Sequence, residues 1–223
     1  MQLNILMPGS LDYKEALDLQ ERLLLLRQQN EIEDTLILLE HPPVLTLGRR
    51  GEYGNILLPL NVLESQGVKV YEVSRGGDVT YHGPGQIVGY PIMDLCNRGK
   101  DIKEYVYNVE EVVIRLLLNE FSIHSHREEK KYTGVWVGDE KITAIGIAVK
   151  KWVTMHGFAF NVNTDLSHFK WITPCGITDK SVTSVQKILG KEIDLYMMYE
   201  LVIKYFGEVF QAQCELKDWK DFV

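Results

Sequence analysis

The chain has 223 residues, 45% of them hydrophobic and 25% charged, with 7 prolines and 18 glycines. That composition fits a folded globular domain with a sizeable core and excludes disordered, collagen-like and low-complexity architectures. A net charge of -7 supplies no general basic field, so neither nucleic acid nor an anionic membrane is an expected partner, and an acidic partner would need a local basic patch.

In chain order, residues 10–28 predict an amphipathic helix with Ser10 as N-cap and Ala16, Leu19, Leu23 and Leu26 on one face. Thr35 to Leu39 and Val44 to Leu47 are β-prone runs split by Pro42-Pro43, followed by the basic loop Gly48-Arg49-Arg50-Gly51. Pro59 is placed to open a short helix ending near Gly67, and residues 68–73 alternate as a strand that leads into Gly76-Gly77. A second helix is predicted from about 101 to 119, capped by the Asp101-x-x-Glu104 pattern, with Ile102, Val106, Val109, Val113 and Leu117 facing the core. Residues 135–137 and 141–149 flank Gly138-Asp139-Glu140 as a hairpin, 155–162 form a third extended run, and a last helix spans about 195–210. Strands in the middle and helices near the ends predict an α+β domain, with residues 1–223 as one unit and those after about 190 as a candidate C-terminal subdomain.

No apolar run approaches the roughly 20 residues of a membrane span, and Met1-Gln2-Leu3-Asn4 opens no targeting segment, which predicts a cytoplasmic protein. Cys96, Cys175 and Cys214 are widely spaced with no C-x-x-C pair, a pattern that supports neither a disulfide framework nor a zinc cluster. His124 and His126 flank no ligand pattern either, and no metal is expected.

Residues 74–86 pack four glycines, a proline, an arginine and a histidine into thirteen positions. Gly76-Gly77 permits positive φ and close approach of a ligand to the main chain, and Gly83-Pro84-Gly85 fixes a rigid turn. The string is neither a Walker A loop nor G-x-G-x-x-G, so phosphate binding on those patterns is not expected.

Arg75-Gly-Gly-Asp-Val-Thr-Tyr-His82-Gly-Pro-Gly-Gln86 resembles the most specific stretch of the octanoyltransferase family, the lipoyl(octanoyl) transferases. The resemblance extends over most of the chain, through Tyr13-x-x-Ala16, the block from Leu39 to Gly51, Lys141-Ile-Thr-Ala-Ile-Gly146, His156-Gly-Phe-Ala-Phe-Asn-Val-Asn163 and Pro174-Cys175-Gly176-Ile177. It implies a mixed or antiparallel sheet flanked by helices, of the kind shared with biotin and lipoate protein ligases. It also implies that Cys175 carries the acyl group and that Lys141 is its partner. The acyl substrate is then expected along the loop of Arg75, Gly76, Gly77, Asp78, Val79, Thr80, Tyr81 and His82, and along Ala144, Ile145, Gly146 and Gly157, Phe158, Ala159.

The residue chemistry is compatible with those roles. A cysteine nucleophile must become a thiolate, which a nearby cation favours, and Pro174 and Gly176 leave the sulfur of Cys175 open to a substrate. Strict alternation from Lys141 places it on the face of Thr143, Ile145, Ile147 and Val149. Small residues at 144, 146, 157 and 159 leave room for an extended acyl chain, with Phe158 and Val79 as apolar wall. His82 is a candidate to orient the site, with His156 ranked behind it. The family resemblance implies octanoyl-acyl carrier protein as donor. The implied acceptors are lipoyl domains of 2-oxoacid dehydrogenase E2 subunits and of the glycine cleavage H protein. No cofactor is needed, because the acyl group arrives as a thioester. Arg49, Arg50, Arg75, Lys150 and Lys151 are the expected docking patch for an acidic carrier. The competing readings are an ATP-dependent lipoate-protein ligase, an octanoyl amidotransferase acting between lipoyl domains, and an inactive lipoyl-domain-binding module.

Overall fold

A computed structural model describes residues 1–128, 132–173 and 180–222 of the chain. Its strands are β1 (Gln2–Ser10), β2 (Asp34–Glu40), β3 (Val44–Leu47), β4 (Lys69–Glu72), β5 (Val79–His82), β6 (Gln86–Ile92), β7 (His126–Arg127), β8 (Gly134–Val137), β9 (Glu140–Lys150), β10 (Val153–Asn161), β11 (Ser181–Val182) and β12 (Gln213–Lys217). The α-helices are α1 (Tyr13–Gln28), α2 (Leu60–Ser65), α3 (Ile102–Phe121), α4 (Val185–Leu189) and α5 (Leu195–Phe210). Among the described residues the larger sheet runs β12-β1-β2-β6-β10-β9-β8-β7, with β11 added parallel to the start of β9, and a smaller sheet runs β4-β3-β5. No helix among them is long and apolar enough to cross a membrane.

The larger sheet is covered on both faces, which explains its sequence. Leu6, Ile37, Leu39, Val88 and Tyr90 pack under Ala16, Leu19 and Leu23 of α1. Leu3, Ile5, Leu36, Leu38 and Ile87 pack on the opposite face with Val109, Val113 and Leu117 of α3 and Val202 and Phe206 of α5. Each such buried aliphatic contributes about 1.5–3 kcal/mol. A strand buried on both sides carries a continuous apolar run in place of alternation. That is why β1, whose Leu3 to Leu6 are all buried, is not visible as a half-buried strand.

Several expected boundaries shift. Ser10 ends β1 instead of capping α1; the cap is Asp12, whose carboxylate accepts the Lys14 N–H at 2.9 Å. Asp101 does cap α3, accepting from the Lys103 and Glu104 amides. The buried face of α3 is Tyr105, Val109, Val112, Val113, Leu116 and Leu117, whereas Ile102 is exposed at the first turn. Residues after 190, expected as a candidate subdomain, supply α5 to the helical layer beside α3 and β12 to the edge of the main sheet, parallel to β1.

Candidate active site

The site begins where β9 outruns its neighbour. The pairing of β8 with β9 ends at Gly134 opposite Ala144, so the edge of β9 beyond that point is open. The loop of Arg75 to Asp78 takes up this edge, with the Gly76 N–H donating to the Ile147 carbonyl at 2.8 Å. This donor is therefore committed to structure and is not offered to a ligand. The basic loop after β3 fastens the other side: Gly48, Arg49 and Arg50 amides donate to the carbonyls of Asp78, Arg75 and Gly77 at 3.0–3.1 Å. Arg75 is buried, and its guanidinium donates to the Thr46 carbonyl at 2.7 Å, to Thr46 Oγ1 at 2.8 and 3.2 Å and to the Gly76 carbonyl at 3.0 Å. It braces the loop and is not part of a surface patch. Asp78 is buried too, accepting from Asn55 Nδ2 at 2.7 Å and from the Val79 N–H at 2.6 Å.

Half of the glycine-rich string is regular strand. Within β5 alternation turns Thr80 and His82 toward the cavity and Val79 and Tyr81 into the core of the small sheet, beside Leu45, Leu47 and Leu63. Tyr81 therefore does not line the cavity as expected; its hydroxyl bonds His168 Nδ1 at 2.7 Å on the far side. Val79 still borders the cavity.

The floor is made of the predicted small residues. Gly157 lies opposite Gly146 and Ala159 opposite Ala144 in the β9–β10 ladder, so all four share one face. A Cβ at Gly146 would come within 2.8 Å of the Gly76 carbonyl oxygen and 3.1 Å of Arg75 Cδ. Phe158 borders the cavity, while its ring also lies over Gly89 in the core shared with α3 and α5, where a Cβ on Gly89 would be 2.2 Å away.

Lys141 emerges on this same floor, against the expected alternation. Trp136 pairs with Lys141 but Val135 pairs with Thr143, so β9 carries a bulge with Ile142 as the extra residue. Residues directly opposite in an antiparallel pair share a face. Lys141 therefore goes with Trp136, Ala144 and Gly146, while Thr143, Ile145, Ile147 and Val149 face the other way. The Lys141 ammonium donates to the Thr133 carbonyl at 3.2 Å and lies 4.8 Å from the Trp136 ring centroid, which Lys180 approaches to 4.7 Å.

A hydrogen-bonded chain connects His82 to this lysine. His82 Nδ1 meets Gln86 Oε1 at 2.8 Å, Gln86 Nε2 donates to Asn161 Oδ1 at 2.9 Å, Asn161 Nδ2 donates to the Thr183 carbonyl at 3.0 Å, and the Thr183 N–H donates to the Lys141 carbonyl at 3.0 Å. Because Gln86 spends its amide on Asn161, its oxygen must accept, which assigns the His82 proton to Nδ1. Burial pushes His82 down to about 3, and His41 and His156 down to about 4, so all three imidazoles are neutral at pH 7. Burial also pushes the Tyr13 hydroxyl up to about 12.

These parts enclose a cavity of about 540 Å³, bordered by every predicted substrate-loop and floor residue except Tyr81, and by Lys141. Cys175 lies outside the described residues; Phe169 and Lys180, the nearest described residues before and after it that border the cavity, both lie on its wall. Lys150, which ends β9, and Lys151 in the turn after it, both expected in the docking patch, lie at the far end of the strand, about 30 Å from Lys141 at the usual strand rise. Of the expected patch Arg50 does border the cavity, together with Lys103, which was not expected there. Tyr13, Tyr90, Asn161, Trp136 and Glu110 were not singled out as cavity residues from the sequence, yet border it. Only Glu110 leaves a signal there, as a carboxylate four residues after Val106 and three before Val113 in an otherwise apolar stripe.

Residues 12–207 match the family model described as the lipoyl protein ligase A/B catalytic domain. The octanoyltransferase of Caldicellulosiruptor saccharolyticus is 61% identical over 213 residues, covering 96% of this chain and 91% of that protein. Among solved structures, a lipoate-protein ligase A bound with ATP superposes with a TM-score of 0.79 at 15% identity, covering all of this chain and 92% of the other. The biotin protein ligase of Aquifex aeolicus superposes at 0.53, also at 15% identity, covering 99% of this chain and 74% of that one. The two structural matches concern the fold.

Proposed function

Because the chain belongs to the octanoyltransferases of the lipoyl protein ligase A/B catalytic-domain family, we propose that it moves an octanoyl group from octanoyl-acyl carrier protein to one lysine of a lipoyl domain, through a thioester on Cys175. The acceptors are the lipoyl domains of 2-oxoacid dehydrogenase E2 subunits and the glycine cleavage H protein. The supporting observation is the convergence of Lys141, the four-residue small floor and the Arg75 to Asp78 loop on one cavity, which Phe169 before Cys175 and Lys180 after it also border.

In the first step the Cys175 thiolate attacks the donor thioester carbonyl, the new C–S bond forms and the bond to the phosphopantetheine sulfur breaks. The Lys141 ammonium stabilises the thiolate beforehand and gives its proton to the departing sulfur. Lys141 is then neutral. In the second step the amine of the acceptor lysine attacks the acyl-enzyme, the amide forms, the cysteine leaves as thiolate, and Lys141 takes the amine proton. The lysine ends as it began, and no ATP is consumed. The fixed loop and the small-residue floor hold the acyl chain in one orientation through both steps, an effect that can supply a large part of a rate enhancement.

The test is to incubate the protein with octanoyl-acyl carrier protein, without ATP, and to search by mass for an octanoyl group on Cys175. Label on Cys175 that is chased onto a lipoyl domain, and is absent in Cys175→Ala, supports the reading. Acylation of the lipoyl domain only from free octanoate and ATP would favour a ligase and reject it.

A further inference from the structure

One buried carboxylate borders the cavity without a part in the chemistry above. Glu110 projects from α3, is 6% exposed, and accepts the Gly134 N–H at Oε1 at 3.0 Å. Its other oxygen lies 3.2 Å from Arg127 Nε. Burying a charge is costly, and a neutral amide would satisfy one N–H at a lower penalty. What distinguishes this N–H is the peptide it belongs to. The Thr133–Gly134 peptide is planar and trans, so its N–H and C=O point in opposite directions and fixing one end aims the other. The end away from Glu110 is the Thr133 carbonyl, which accepts from the Lys141 ammonium at 3.2 Å.

The surroundings hold that peptide in place. Gly134 has φ of 138°, and a Cβ there would meet the Thr143 carbonyl oxygen at 2.4 Å, so no other residue reproduces this backbone. One residue earlier, the Tyr132 carbonyl accepts from Trp136 Nε1 at 3.0 Å. Arg127 is also anchored elsewhere, donating to the Tyr107 carbonyl at 3.1 Å, pairing with Glu111 and lying 3.7 Å over the Tyr107 ring.

We propose that Glu110 is a positioning residue for Lys141: by accepting the Gly134 N–H it aims the Thr133 carbonyl that holds the lysine ammonium on the cavity floor. The inference rests on Lys141 acting on Cys175 as described above. It attributes the role to the acceptor oxygen at that distance and not to the carboxylate charge, and two conservative variants separate these. Glu110→Gln keeps the acceptor and loses the charge; Glu110→Asp keeps the charge and withdraws the acceptor by one methylene. The experiment measures the pH profile of iodoacetamide alkylation at the Cys175 peptide, resolved by mass, together with the rate of Cys175 acylation by octanoyl-acyl carrier protein.

Glu110→Asp should lower the acylation rate by on the order of tenfold or more, the scale of a misplaced catalytic group, and move the alkylation profile to higher pH, toward that of Lys141→Met. Glu110→Gln should stay within a few-fold of the unaltered protein. A purely electrostatic role predicts instead that Glu110→Asp behaves as the unaltered protein while Glu110→Gln moves the alkylation profile to lower pH, since loss of a nearby negative charge favours the thiolate. The proposal is overturned if Asp behaves normally while Gln moves the profile, if both behave normally, or if both lose thermal stability with unchanged alkylation profiles. Should Lys141→Met itself leave the profile unmoved, the role given to Lys141 fails. A profile moved by Lys141→Met but not by Glu110→Asp removes only the positioning role.

Discussion

Replacing Gly146 with alanine inserts one methyl between the cavity floor and the loop that closes over it. The new Cβ would lie 2.8 Å from the Gly76 oxygen and 3.1 Å from Arg75 Cδ, about half an ångström inside ordinary contact with the former. Neither neighbour yields freely: the Gly76 amide is bonded to Ile147 at 2.8 Å, and the Arg75 guanidinium is held by Thr46. Moving the loop by that amount stretches the Gly76 bond to the limit of a good N–H to O contact, about 3.2 Å. Overpacking of this kind costs about 1–3 kcal/mol. For a chain of this size each kcal/mol lowers Tm by roughly 2–4 °C, so a fall of about 4–8 °C is expected for a mid-range cost. Gly54→Ala is the control, because nothing lies within 4 Å of its Cβ and its φ is not positive; its effect should stay within about 0.5 kcal/mol. Thermal melts followed by circular dichroism measure both, and octanoyl transfer at sub-saturating donor should fall for Gly146→Ala alone. A Gly146→Ala variant that melts with the control and transfers at the normal rate would refute the described packing of the loop on the floor.

Three further outcomes are expected. His41, His82 and His156 have folded values pushed below the ordinary one by burial, so the unfolded chain takes up protons first as pH falls below about 6.5, and stability should drop by up to about 1.4 kcal/mol per pH unit for each. Urea unfolding at pH 7 and pH 5 measures it, and equal midpoints would contradict the burial of these rings. Shortening the donor acyl chain from eight to six carbons removes two buried methylenes, about 1.6 kcal/mol or roughly 15-fold in kcat/KM; an unchanged value would mean that the tail does not enter the cavity. Charge reversal at Arg50 and Lys103, which border the cavity, should weaken use of the carrier-protein donor while sparing a small octanoyl thioester, and reversal at Lys150 and Lys151 should affect neither. Equal loss with both donors would remove the docking role.

Much of the architecture is legible where one rule of periodicity operates alone. The β8–β9 hairpin, α3 with its Asp101 cap and the helix from Leu195 follow from alternation, from a 3.6-residue stripe and from turn composition. β1 does not, because burial on both faces erases alternation, and the capping residues of its neighbour then suggest a helix that starts too early. Among site residues, the loop and floor are placed as expected, whereas Tyr81 faces away because the middle of the glycine-rich string is strand and obeys its pleat. The buried Arg75 illustrates a different limit. A cation in a loop suggests the surface, and only the nearby Thr46 and Gly76 acceptors reveal that its charge is consumed inside.

The bulge at Ile142 gives the lysine's direction an arithmetic basis. Lys141 and Ala144 are three residues apart, a spacing that a regular pleat would assign to opposite faces, and the single unpaired residue restores them to one. A strand with lysine only two residues before the alanine, and no bulge, would present the same surface. Equivalence between this lysine and one in a distant relative is therefore decided by the phase of the strand at the cavity, and an alignment column can pair two lysines that emerge on opposite sides of their sheets. Idealising β9 by design carries the matching hazard: with every functional side chain retained, a regular ladder at this spacing would turn the ammonium into the core beneath α3.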